Sequence, residues 1–130
     1  MIGLIIVTHS GLAEGLVRSA EMIAGKIDCC DTIEVRPEDL PDDVISRVSA
    51  AVKRYSDDGA IIMTDLFGGT PSNMAMSFLE EGKIEVVTGV NLPMVIEFCS
   101  KRSNLGVASL AAEIQGCGVE SIIVAGALLK

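Results

Sequence analysis

Tryptophan is absent from this sequence, and Tyr55, Phe67, Phe78 and Phe98 are its only aromatic residues. With 49% of the chain apolar, the core has to be built from Ile, Val, Leu, Met and Ala. Cations are scarce as well: 10 Lys and Arg stand against 18 Asp and Glu, for a formal charge of −8. That balance excludes binding to a phosphate backbone, which needs clustered Lys and Arg, so no nucleic-acid partner is expected. No run approaches the roughly 18 apolar residues of a membrane span, so no direct membrane insertion is expected. The opening apolar stretch lacks a basic flank and a small-residue cleavage site, and reads as a strand rather than a secretory leader. Cys29, Cys30, Cys99 and Cys117 form no C-x-x-C pair and no zinc-like spacing. Reduced thiols in a cytoplasmic protein, with no metal, are the expectation.

What is present is an alternation of short apolar runs and helical patterns, at a length that suits one domain over residues 1–130. Residues 2–8 read as a buried strand, and Gly11–Ala24 as a helix with Leu12, Leu16, Ala20 and Ile23 on one face. Ser10 suits the N-cap of that helix and Gly25 its stop. Thr32–Arg36 alternate as a strand. Pro41 opens a second helix, with Val44, Ile45, Val48, Val52 and Tyr55 as its stripe. Ala60–Met63 form the next strand, a helix runs from Pro71 or Ser72 to about Glu81, and Ile84–Thr88 are a strand again. Further helices are expected up to Lys101 and over 105–115, broken by Gly116 and Gly118, with Ser121–Ala125 as a last strand. The pattern predicts an α/β fold: a flavodoxin-like, doubly wound, mainly parallel sheet with helices on both faces. Right-handed crossovers give the order 2-1-3-4, plus a C-terminal edge strand.

In that order the first and third strands are neighbours at the topological switch point, where open α/β sheets bind ligands. The chain's one histidine, His9, ends the first of these strands, and Asp65 follows the third. A carboxylate on one imidazole nitrogen fixes the tautomer and makes the other nitrogen the better nucleophile. Gly68-Gly69-Thr70-Pro71 comes next. Two glycines let successive backbone N–H groups converge on an anion. Thr70 suits an N-cap and Pro71 the first helical position, so a helix N-terminus adds to that cradle. The hydroxyls of Thr64 and Thr70 suit phosphoryl oxygens. His9 and Asp65 are therefore the candidate catalytic pair, and Thr64, Gly68, Gly69 and Thr70 the candidate phosphate-binding residues. The expected site has no arginine, no metal and no cofactor.

Three segments carry a resemblance: Val7-Thr-His-Ser-Gly-Leu-Ala-Glu-Gly-Leu16, Thr64-Asp-Leu-Phe-Gly-Gly-Thr-Pro-Ser-Asn73 and Gly89-Val-Asn-Leu-Pro-Met94. In order and spacing they resemble the signature segments of the mannose-family IIA domain of the bacterial phosphoenolpyruvate:sugar phosphotransferase system. The resemblance implies that His9 accepts a phosphoryl group from the phosphocarrier HPr and passes it to a IIB protein or domain. It implies that Asp65 partners the His9 ring, with Thr64 and Thr70 bordering the phosphate. It also implies a homodimer in which the C-terminal strand is exchanged between subunits. Phe67, Asn91, Pro93 and Met94 are candidates for partner docking. Phe67 stands where tryptophan is common in that family, and Thr70 where serine is common. With the chain ending at Lys130, no attached IIB domain is expected.

Two other readings share the chemistry. One is the phosphoryl donor subunit of dihydroxyacetone kinase, which usually adds HPr-like and enzyme I-like segments that are missing here. The other is a stand-alone regulatory module read out by its phosphorylation state. Nucleotide binding is disfavoured, since neither G-x-x-x-x-G-K nor G-x-G-x-x-G occurs.

Overall fold

Four of the short apolar runs become strands in the computed structural model, which describes residues 1–129. β1 (Gly3–His9), β2 (Cys30–Val35), β3 (Ala60–Thr64) and β4 (Ile84–Thr88) pair in parallel in the order β2-β1-β3-β4. α1 (Leu12–Ala24), α2 (Pro41–Arg54) and α3 (Thr70–Met76) make the crossovers. α4 (Leu92–Lys101) and α5 (Val107–Glu120) follow β4. The sheet is the flavodoxin-like one that the alternation predicts. Lys130, where the expected domain closes, lies outside the described residues.

Strand side chains alternate between faces, and both faces are covered. Leu4 and Ile6 of β1, with Ile61 and Met63 of β3, pack against α1, α4 and α5. Ile5 and Val7, with Ala60 and Ile62, pack against α2 and α3. By the same alternation His9 and Thr64 belong to the α2–α3 face. β1 is the centre of the molecule: Leu4 to Val7 are all fully buried. At the opposite end of the sheet from His9, the buried Arg102 donates to the carbonyls of Asp28 (2.7 Å), Ile2 (2.5 Å) and Cys29 (3.3 Å). Its guanidinium also lies 4.6 Å from the centre of the Phe98 ring. This clamp ties the end of α4 to the starts of β1 and β2.

Several local expectations change. Ser10 does not cap α1; it sits at φ 50 in the left-handed region, and Gly11 takes the N-cap position. Thr8 does the capping instead, its Oγ1 accepting from the Ala13 N–H at 2.8 Å. α1 buries Ala13 and Ala20 while Leu12 and Ile23 are 47% and 65% exposed. Small residues bring the helix close to the sheet, so its buried face is rotated from the one the large side chains suggest. α3 ends at Met76 rather than near Glu81. Ser77 Oγ donates to the Met74 carbonyl at 2.6 Å, a local bond that competes with helix continuation.

Gly116 and Gly118 do not break α5, which runs on to Glu120. A Cβ on Gly118 would stand 2.6 Å from Met94 Cγ and 2.7 Å from its Sδ. The glycine lets α5 settle on α4, and that packing offsets the roughly 1 kcal/mol of lost helix propensity. The expected edge strand over Ser121–Ala125 does not form within the chain. Ser121 ends α5 with its Oγ on the Cys117 carbonyl at 2.6 Å, and Ala125–Leu129 turn as a short 3-10 helix. Ile122, Ile123 and Val124 are left 75%, 59% and 75% exposed.

The two α5 glycines should therefore respond oppositely to the same substitution. Nothing lies within 4 Å of a Cβ on Gly116. Gly116→Ala should raise stability by up to about 1 kcal/mol through helix propensity. Gly118→Ala should lower it by about 1–3 kcal/mol through the clash with buried Met94. Urea denaturation of both variants checks the pair of signs.

Candidate functional site

Parallel pairing of β1 with β3 brings Val7 opposite Thr64, so the two chains leave the sheet side by side as His9 and Asp65. Asp65 Oδ2 accepts the His9 backbone N–H at 3.0 Å and lies 2.9 Å from the ring Nδ1. Asp65 Oδ1 accepts the Leu66 N–H at 3.1 Å. Burial by itself would push the Asp65 carboxyl up. The hydrogen bonds from the His9 ring and backbone, with the charge of the ring, outweigh it and hold the carboxyl below the ordinary aspartate value. An ionised carboxylate only accepts, so Nδ1 is the donor, and whenever the ring is neutral Nε2 carries the lone pair. The His9 side chain is 51% exposed while that of Asp65 is 10% exposed, so the ring faces solvent and its brace does not.

The ring rests on the start of α3. A Cβ on Gly69 would stand 3.1 Å from His9 Cε1 and 3.5 Å from Nε2. A side chain there would force the imidazole to move, so this glycine is needed for close approach. Gly69 is the N-cap residue of α3, which shifts Thr70 and Pro71 one place into the helix from their expected positions. Gly68 turns the chain at φ 93, a conformation that favours glycine. Thr70 lines the same cleft as His9. Thr64 is fully buried at the end of β3, and its hydroxyl has no hydrogen-bond partner. It lies on the His9 face of the sheet.

The expected docking residues divide. Phe67 is 73% exposed beside the site, and Leu66 is 52% exposed. Met94 is 3% exposed and belongs to the core, which removes it as a docking residue. Asn91 is a structural cap: its Oδ1 accepts the Met94 N–H at 3.2 Å and its Nδ2 donates to the Gly118 carbonyl at 3.1 Å. Both ends of that side chain are used in fixing α4 to α5. Pro93 is partly buried behind it, and its carbonyl takes the Cys117 thiol at 3.7 Å.

The segment after β2 is the part of the site that sequence reasoning missed. It forms one wall of a cleft of about 730 Å³ that opens beside His9, Ser10 and Gly11. Glu34 near the end of β2 and Arg36, Glu38 and Asp39 beyond it line this wall, so the expectation of a site without arginine is corrected. The signal for it was β1–β2 pairing: His9 stands opposite Val35, and the Ser10 N–H donates to the Val35 carbonyl at 2.9 Å. Whatever follows Val35 must border the histidine. Among the described residues, no three His, Cys, Asp or Glu side chains gather where they could hold a metal ion.

Fold and site together define a class: an α/β domain with a carboxylate-braced histidine at the switch point of a parallel sheet. The family model described as the PTS system fructose IIA component (EIIA-man) matches residues 3–115, and the chain belongs to this family of sugar phosphotransferase components. It is 28% identical over 112 residues to the sorbose-specific EIIA component of Lacticaseibacillus casei, covering 85% of this chain and 81% of that one. It is 30% identical over 105 residues to the mannose-specific EIIAB component of Escherichia coli strain K12. That match covers 79% of this chain but only 32% of the longer protein. The crystal structure of the phosphotransferase system component EIIA from Streptococcus agalactiae superposes with a TM-score of 0.90 at 28% identity, covering 98% and 99% of the two chains.

Proposed function

We propose that this chain, read as a single IIA domain, is a cytoplasmic phosphohistidine carrier that takes a phosphoryl group from HPr onto His9 and hands it to a IIB protein. The contact between Asp65 Oδ2 and His9 Nδ1 at 2.9 Å carries this reading. It leaves Nε2 as the free, solvent-facing nucleophile. In the transfer, the bond between phosphorus and the donor's ring nitrogen breaks and its electron pair stays on the donor. The Nε2 lone pair makes the new N–P bond. Nδ1 keeps its proton, so the modified ring gains positive charge, which the Asp65 carboxylate offsets. Transfer onward to IIB repeats the step with His9 as the leaving ring. No separate acid is needed, because the leaving group is itself a stable imidazole. The orphan hydroxyl of Thr64, the Thr70 side chain and the Gly68-Gly69 turn are suited to the phosphoryl oxygens. Exposed Phe67 beside the site is suited to docking.

The relatives above are sugar-specific components, and they lend nothing to the dihydroxyacetone kinase alternative. Among the described residues, no helix is long and apolar enough to cross a membrane. Incubation with phosphoenolpyruvate, enzyme I and HPr should add one acid-labile, base-stable phosphate. His9→Ala should abolish it, and Asp65→Ala should slow it by roughly 10²-fold or more while the fold persists. A native chain that stays unmodified contradicts the proposal.

The working form we propose is a homodimer in which the C-terminal segment of one copy adds to the sheet of the other. Among the described residues, β4 has a neighbour on one side only. Its outer side borders a groove of about 410 Å³ floored by Val86, Val87, Ala108, Ala111 and Ala112. Ile122, Ile123 and Val124 are β-branched, exposed and unpaired within their own chain. An apolar strand without a sheet and a sheet edge without a strand satisfy each other. Light scattering should give twice the chain mass for residues 1–130 and a folded monomer for residues 1–120. A full-length monomer at tens of micromolar overturns this arrangement.

A further inference from the structure

We propose that Arg36 is the counter-cation of the phosphoryl group on His9, held by Glu34 until that group arrives. The inference rests on the carrier reading above. The cleft beside His9 is acidic. Glu34, Glu38 and Asp39 line it, and Asp65 braces the histidine from the other side. A phosphoryl dianion entering there meets carboxylates on both flanks. Among the described residues lining the cleft, Arg36 is the one permanent cation.

Its backbone is fixed beside the histidine. Val35 pairs with His9 across neighbouring strands, which lie about 4.8 Å apart. Asp39 Oδ2 accepts the Arg36 N–H at 2.8 Å and the Arg47 guanidinium at 3.0 Å. Arg47 also donates to the Glu34 carbonyl at 2.8 Å. The turn after β2 is therefore braced from α2, and Pro37 stiffens it further.

The side chain, by contrast, is 61% exposed, and its guanidinium is held through one contact, Nη2 to Glu34 Oε2 at 2.7 Å. A single contact on an exposed guanidinium is a weak tether, because water screens the pair. It leaves most of the donor fork open, and that fork matches two oxygens of one phosphoryl group. Glu34 has a second support when the arginine leaves. Its Oε1 lies 3.8 Å from the position of a Cβ on Gly11, at the N-cap of α1, where the helix dipole favours a carboxylate. Swinging Arg36 from Glu34 to the phosphoryl group therefore strands neither charge. No bond to phosphorus changes in this step; only the ion pairing does.

The test is a phosphorus NMR pH titration of the full chain after phosphorylation by phosphoenolpyruvate, enzyme I and HPr. A cation on the phosphoryl oxygens favours the dianion. Arg36→Met should raise the midpoint of its last ionisation by roughly 1 unit relative to the native chain. Arg36→Lys, which restores charge without the fork, should recover most of the shift. A phosphorylated Arg36→Met protein with the native midpoint overturns this inference and leaves the carrier reading standing. A midpoint shifted equally by Arg36→Met and Arg36→Lys also overturns it, since the residue would then act through the shape of the turn rather than its charge. A native chain that accepts no phosphate overturns both.

Discussion

Asp65 Oδ2 accepts two hydrogen bonds from the same residue, one from the His9 backbone and one from its ring. The backbone bond ties the end of β1 to the loop after β3. The ring bond turns that tie into a chemical instruction. It sets which nitrogen carries the proton, which way the imidazole faces, and where positive charge can be tolerated. The rest of the fold keeps these two residues in place. A parallel sheet with β1 and β3 adjacent puts them at one edge, Gly69 gives the ring a flat floor, and the Arg102 clamp fixes the far end of β1 to the start of β2.

The electrostatics of this arrangement suit a group that must bind and leave. Asp65 is held ionised by the hydrogen bonds it receives, so it supports a cationic ring without competing for the proton. The His9 side chain is half-exposed, which would leave Nε2 within reach of the proposed donor. Thr64 keeps a buried hydroxyl without a partner on the same face, a small local cost of the kind that functional sites retain. An acidic wall opposite the histidine discourages stray anions, and one loosely held arginine gives the wall a way to accept the right one.

Much of this was legible in the order of elements. Short apolar runs alternating with amphipathic stretches leave few parallel topologies, and the order β2-β1-β3-β4 follows from the handedness of the crossovers. Once that order is known, His9 and Asp65 must meet, because each stands at the carboxyl end of one of two neighbouring strands. Less legible was anything set by close approach between elements. Ala13 and Ala20 bury α1 more tightly than Leu12 and Ile23 could, so size misled the choice of face. Gly118 read as a helix breaker because its reason for being glycine, Met94, lies on another helix. Met94 read as a surface residue for the same reason. The wall that follows β2 went unseen because its residues carry no motif; only strand register brings Glu34 and Arg36 to the histidine.

A chain with a single histidine makes the central claim directly observable. Incorporation of ring-¹⁵N histidine gives a spectrum of one imidazole, in which coupling to ³¹P identifies the bonded nitrogen. The account predicts that the phosphorylated protein shows this coupling at Nε2, with Nδ1 still protonated against Asp65. Coupling at Nδ1 would contradict it, because phosphorus there cannot coexist with the bond that orders the site.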